Sequence, residues 1–264
     1  MTVANLYLDI AKEDLNASRI LLNNQCYSQA LFYTEQSVEK ICKYIIIKDD
    51  IIDESKLKKE VRHNSTKIFD ILIKYILEKR TSEQCFNDTN IESFYENIKE
   101  SKEYFVKLRN DSKLKEIGEE KLDEYDRELY FYSKLNKNLN TEYDFMINQP
   151  AEGFLELLKK MNLLDNETLT EVESRLNNPA EKDSYLNLIN NIIKDLPKYQ
   201  NLLMAVITLA TIFSNHWEST RYPSQIEKLK PSDLYNQEKP LIKRLGNFHR
   251  HIENTINELE TLNI

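Results

Sequence analysis

The three glycines of this 264-residue chain, Gly118, Gly153 and Gly246, constrain it more than any other feature. Tight hairpins and doubly wound sheets draw on glycine for positive-φ turns and close backbone approach, and six prolines add little further punctuation. An all-helical protein is what remains. The same scarcity excludes a dinucleotide fingerprint, a phosphate-cradling P-loop and a nucleophile elbow, which all need glycines at short fixed spacing. With 41% hydrophobic and 30% charged residues the chain can fill a core and stay dissolved. Cys26, Cys42 and Cys85 have no metal-ligand spacing and read as thiols of a reducing cytoplasm. Asp9, Glu13 and Asp14 arrive before an apolar block of signal-peptide length, so no export signal is expected. Tyr199 to Trp217 is free of Asp, Glu, Lys and Arg, but its continuous apolar part, Leu202 to Phe213, falls short of the roughly 20 residues of a membrane span. It predicts a central buried helix.

Periodicity places five helices at the two ends. Ala4, Leu8, Ala11, Leu15, Ser18 and Leu22 alternate steps of four and three, the signature of one helix face. Asn23 to Gln25 make a turn, and a second helix over about 28–48 turns Ala30, Ser37, Ile41, Tyr44 and Ile45 inward, completing an antiparallel hairpin. After a charged connection, Asp49 to Arg62, Asn64 or Ser65 caps a third helix carrying Ile68, Leu72 and Tyr75. Pro197 suits the first turn of a fourth, which ends before Arg221, Tyr222 and Pro223. A loop with Pro231 leads to Asn236 as cap of the last helix, whose core face is Leu245, Phe248, Ile252, Ile256 and Leu259.

Charge separates the middle from these ends. Residues 1–80 and 196–264 are each one charge from neutral, whereas residues 81–195 hold 15 Lys/Arg against 25 Asp/Glu. Helical periodicity persists there, for example Leu122, Tyr125, Leu129, Tyr132 and Leu135. The predicted organisation is a bundle formed by 1–80 and 196–264 around an acidic helical insertion, 81–195. Its tyrosines lie where phosphates are repelled and read as core or protein-interface residues.

Four pieces in order then carry a resemblance: Ala11 to Ser18, Tyr27 to Phe32 with Gln36 to Lys43, His63-Asn64, and Thr220-Arg221-Tyr222-Pro223. Together they resemble the HEPN family of prokaryotic helical bundles. The family's fourth piece usually ends in Asp, where this chain has Ser224. The resemblance implies a four- or five-helix up-down bundle acting as a homodimer in RNA cleavage, nucleotide binding, toxin–antitoxin pairs or defence. RNA or a nucleotide, and a nucleotidyltransferase-type or other protein, are the partners it implies. Catalytic members cut RNA without metal, using an Arg followed four to six residues later by a His. No His follows Arg221 within seven residues, so the standard motif is absent there.

That spacing recurs in the last helix as Arg244 and His249, with His251 as the longer variant. At about 100° per residue Arg244 and His249 lie roughly 140° apart, whereas Arg244 and His251 come within about 20°. Arg244, Asn247, His251, Asn254 and Glu258 form one polar stripe, either a solvated face or the lining of a dimer cleft. Glu39 and Lys43 form an i, i+4 pair that supports the second helix or lines a ligand site, with Arg221 as a further ligand-binding candidate. His63, His216 and Trp217 read as structural residues. No metal site and no cofactor are expected. Two functions follow: a nucleotide- or partner-binding module without the standard nuclease motif, or a metal-independent endoribonuclease using Arg244 with His251 or His249.

Overall fold

The computed structural model describes residues 3–61, 65–82, 107–108, 110–111, 117–147, 170, 174–175, 177–178, 182–216, 218–222 and 229–262. Its helices are α1 (Val3–Asn23), α2 (Tyr27–Lys48), α3 (Glu54–Glu60), α4 (Ser65–Ser82), α5 (Glu119–Ile147), α6 (Lys182–Phe213), α7 (Pro231–Leu234) and α8 (Pro240–Thr261). There is no strand among the described residues, so the all-helical expectation holds. Nor is any described helix long and apolar enough to cross a membrane.

α2 is the central helix. It packs against α1, α4, α6, α7 and α8, and the resulting burial extends to Glu35, Gln36, Glu39 and Lys43. α1 lies antiparallel to it through the predicted face, with Ala4, Leu8, Ala11, Leu15 and Ser18 buried. Small residues make the approach close: Ala11 and Ala30 are fully buried and Ser37 Oγ donates to the Ala11 carbonyl at 2.8 Å. The turn between them closes at Gln25, whose φ of 60° lets the Cys26 amide reach back to the Leu21 carbonyl at 2.9 Å. Ala11→Leu is therefore expected to force the two helices apart and cost about 1–3 kcal/mol, read as a lower urea midpoint with an unchanged denaturant slope.

Four expectations need correction. The charged connection contains a helix, α3, because the Asp53 carboxylate accepts from the Lys56 amide at 2.8 Å and Leu57 and Val61 supply buried anchors. Pro197 does not begin α6, which starts fifteen residues earlier at Lys182 and continues straight through it. Asn236 does not cap α8: its Oδ1 accepts from the Glu238 amide at 3.0 Å in the preceding turn, and Lys239 takes the cap position ahead of Pro240. Pro231, expected in a loop, opens the single-turn helix α7.

The acidic middle contributes directly to the bundle. α5 lies against α6 and α8, and Leu122, Tyr125 and Leu129 join the same core as Leu15, Ile41 and Phe248. Tyr125 is fully buried and donates to Asp111 at 2.6 Å, with Lys121 on that carboxylate at 2.7 Å. Burial, reinforced by the hydrogen bond to Asp111, pushes the Tyr125 hydroxyl well above its ordinary value, so it stays a neutral donor. Seven residues per two turns bring acidic side chains to the edge of this buried stripe, where α8 meets them.

Candidate functional site

The polar stripe of α8 faces α5. Arg244 Nη2 lies 3.2 Å from Glu119 Oε1, Arg244 Nη1 contacts Asp123 directly, and His251 Nε2 sits 2.8 Å from Asp126 Oδ1. Glu119, Asp123 and Asp126 are on successive turns of one face of α5, so a single acidic edge covers both candidate groups. Asn247 accepts from Arg250 at 2.5 Å, within its own helix. Farther along, Asn136 of α5 donates to Glu258 at 2.5 Å and accepts from Asn201 of α6 at 2.9 Å, tying three helices together.

His249 points elsewhere. It is buried at the α1–α2–α8 junction, with Nε2 2.9 Å from both Ser18 Oγ and Thr34 Oγ1. Both hydroxyls also lie within hydrogen-bond distance of the Ala30 carbonyl, at 2.6 and 2.9 Å, and 2.7 Å from each other, so the ring nitrogen closes a fully enclosed polar network. Desolvation, with Arg19 nearby, lowers the imidazole to about 4. Neutral and enclosed at ordinary pH, His249 is a structural residue, separated from Arg244 and His251 as the helical angles require. The sequence held a signal for this: His249 falls on the three-four stripe Ile242, Leu245, His249, Ile252, Ile256 and Leu259, all buried.

Glu39, Lys43 and Arg221 are associated with one face of α2. Lys43 Nζ donates to Glu39 Oε1 at 2.5 Å in the bundle interior, and Lys40 stands 3.5 Å from the same oxygen. Gln36 Nε2 bridges Glu35 at 2.7 Å and Glu39 at 3.3 Å, while its oxygen accepts from Lys40. Asp14 borders this network 3.9 Å from Lys40, its carboxyl raised by burial despite that lysine. Glu35, unremarked in the sequence, is the residue reasoning missed; it shares the helical face of Phe32 and Glu39. Arg221 arrives over the Phe32 ring, 4.5 Å from its centroid, one turn before Glu35. Its Nε is buried and meets no hydrogen-bond acceptor among the described residues. A small hollow beside this face is lined by Glu35, Glu39, Cys42, Ile68 and Ser214.

His216 Nδ1 pairs with Tyr235 Oη at 2.8 Å, and Ser219 Oγ reaches the same oxygen at 2.6 Å, so the segment carrying Arg221 is pinned to the end of α7. His63 and Trp217 lie outside the described residues. Among the described residues no three His, Cys, Asp or Glu side chains gather as a metal site would require.

Residues 4–114 match the family model of the HEPN domain. The match takes in α1 to α4, including the α2 face just described, and the helical architecture agrees with it. No curated protein matches the chain, and no solved structure does.

Proposed function

Because residues 4–114 carry a HEPN domain, we propose that this chain is a non-catalytic binding module of a defence or toxin–antitoxin type system. It takes a nucleotide or a protein partner at the α2 face beside Arg221. The observation that carries this reading is the buried Nε–H of Arg221, held above Phe32 with no acceptor among the described residues. Buried donors are rarely left unmade, and a phosphate or carboxylate oxygen is the acceptor a guanidinium binds best. Glu39 and Lys43 then act as the charged backing of the site, and Asn247 contributes only through α8. In this reading 1–80 with 196–264 form the binding bundle and 81–195 the acidic insertion, the chain works as a cytoplasmic homodimer, and a protein partner is of nucleotidyltransferase or other type.

The endoribonuclease reading has less support. Each member of its trio is engaged: Arg244 by two carboxylates, His251 by Asp126, and His249 by two buried hydroxyls. Purified protein incubated with tRNA and mRNA in EDTA is expected to leave both intact over a wide protein range. Cleavage that disappears in both Arg244→Ala and His251→Ala would overturn the proposal in favour of the nuclease. In parallel, calorimetric titration with ribonucleoside triphosphates is expected to show binding that Arg221→Ala weakens by about tenfold or more, the loss of roughly one charge-assisted hydrogen bond, and that Arg244→Ala leaves unchanged. Light scattering is expected to give twice the monomer mass.

A further inference from the structure

We propose that α5 is an internal phosphate mimic, with Glu119, Asp123 and Asp126 holding the Arg244–His251 edge of α8 closed to phosphodiester chains. The inference is independent of the Arg221 reading and involves a different face of the bundle. Its geometry is that of a substituted ligand. An arginine fork engages two anionic oxygens on neighbouring groups, here Glu119 and Asp123, as it would two phosphate oxygens. Two turns along α8, about 10 Å away, His251 meets the third carboxylate at 2.8 Å. Three acids thus oppose one arginine and one imidazole, which leaves the edge negative overall. Stability alone does not call for this arrangement, because partly exposed ion pairs contribute little and α5 is already anchored by Leu122, Tyr125 and Leu129 on the adjacent face. That anchoring has a second effect: it fixes the stretch of α5 that carries the carboxylates opposite α8.

The test uses the full chain carrying E119Q/D123N/D126N, whose amides keep the shape and hydrogen-bonding reach of the acids. Fluorescence anisotropy with a labelled single-stranded RNA of about 20 nucleotides, in EDTA and about 50 mM salt, is expected to show binding at least about tenfold tighter than that of the native chain, declining steeply with added salt. Adding Arg244→Ala to the triple variant is expected to abolish the gain. A control with equal charge change, E13Q/E238Q/E260Q, is expected to show none. The proposal is overturned if the triple variant binds no better than the native chain, if the control gains as much, or if the gain survives Arg244→Ala. Should circular dichroism show the triple variant unfolded, Asp123→Asn and Asp126→Asn are measured singly, and absence of a gain in both likewise overturns it.

Discussion

A chain in which Leu122, Tyr125 and Leu129 are all replaced by alanine is expected to lose cooperative unfolding altogether. All three side chains are buried in the common core. Truncating a buried leucine to alanine costs about 2–5 kcal/mol and a buried aromatic about 3–5. Neighbouring changes do not add exactly, yet even a partial sum reaches the roughly 5–15 kcal/mol that separates a folded domain from its unfolded chain. Tyr125→Ala also strands the Asp111 carboxylate, which keeps Lys121 and loses the tyrosine. Urea titration followed by circular dichroism reads the result. A cooperative transition within about 1 kcal/mol of the native one would mean that α5 is an appendage on a self-sufficient bundle. The same packing means that the acidic insertion cannot be deleted to ask what it does, and isosteric, charge-removing substitutions on its edges are the sounder tool.

The second large effect is acid sensitivity centred on His249. Its folded value, about 4, lies below the ordinary histidine value of about 6.5, so the unfolded chain binds the proton more readily. Stability from this group is complete above about pH 6.5, falls as pH drops through the window from 6.5 to 4, and levels off below it. The full loss amounts to about 3 kcal/mol. The Arg19–Glu253 pair, which lowers the Glu253 carboxyl, works in the same direction only at more acid pH, and its exposure limits what it adds. Urea midpoints measured from about pH 7 to about pH 4 are expected to fall in the native chain and to stay nearly level in His249→Gln, which begins less stable at neutral pH. A native chain with a level profile over that window would show that the buried ring carries no such linkage.

What the sequence revealed and what it hid follow from the same physics. Residues recurring at helical spacing on one face were legible wherever a single face is buried: α1 by Ala4, Leu8, Ala11 and Leu15, and α8 by Leu245, Phe248, Ile252 and Ile256. α3 was hidden because it is only seven residues long and its buried contribution is Leu57 followed by Val61. The start of α6 is obscured by Pro197, which locally suits a first turn, whereas the helix begins at Lys182 and runs through it. Within the candidate site, helical angles correctly separated His249 from the Arg244–His251 pair. They had no means of naming the surfaces opposite: that α5 would supply acids to one and two hydroxyls of the α1–α2 hairpin would enclose the other is long-range packing. Glu35 escapes such a reading because charged residues are ordinarily expected outside, whereas a central helix packed against five others buries most of its circumference.

The Ser18–Thr34–His249 junction has a consequence in time. Its two hydroxyls belong to the first helices made, and its imidazole to a helix synthesised about 190 residues after the end of α2. At roughly 5–20 residues per second, a nascent hairpin waits roughly 10–40 seconds for the ring that completes it. Throughout that interval the groove destined for α8 stays open to water and to other nascent chains. Synthesis of this protein therefore carries an exposed intermediate whose lifetime is set by the ribosome, and translation speed across the acidic middle becomes a determinant of yield.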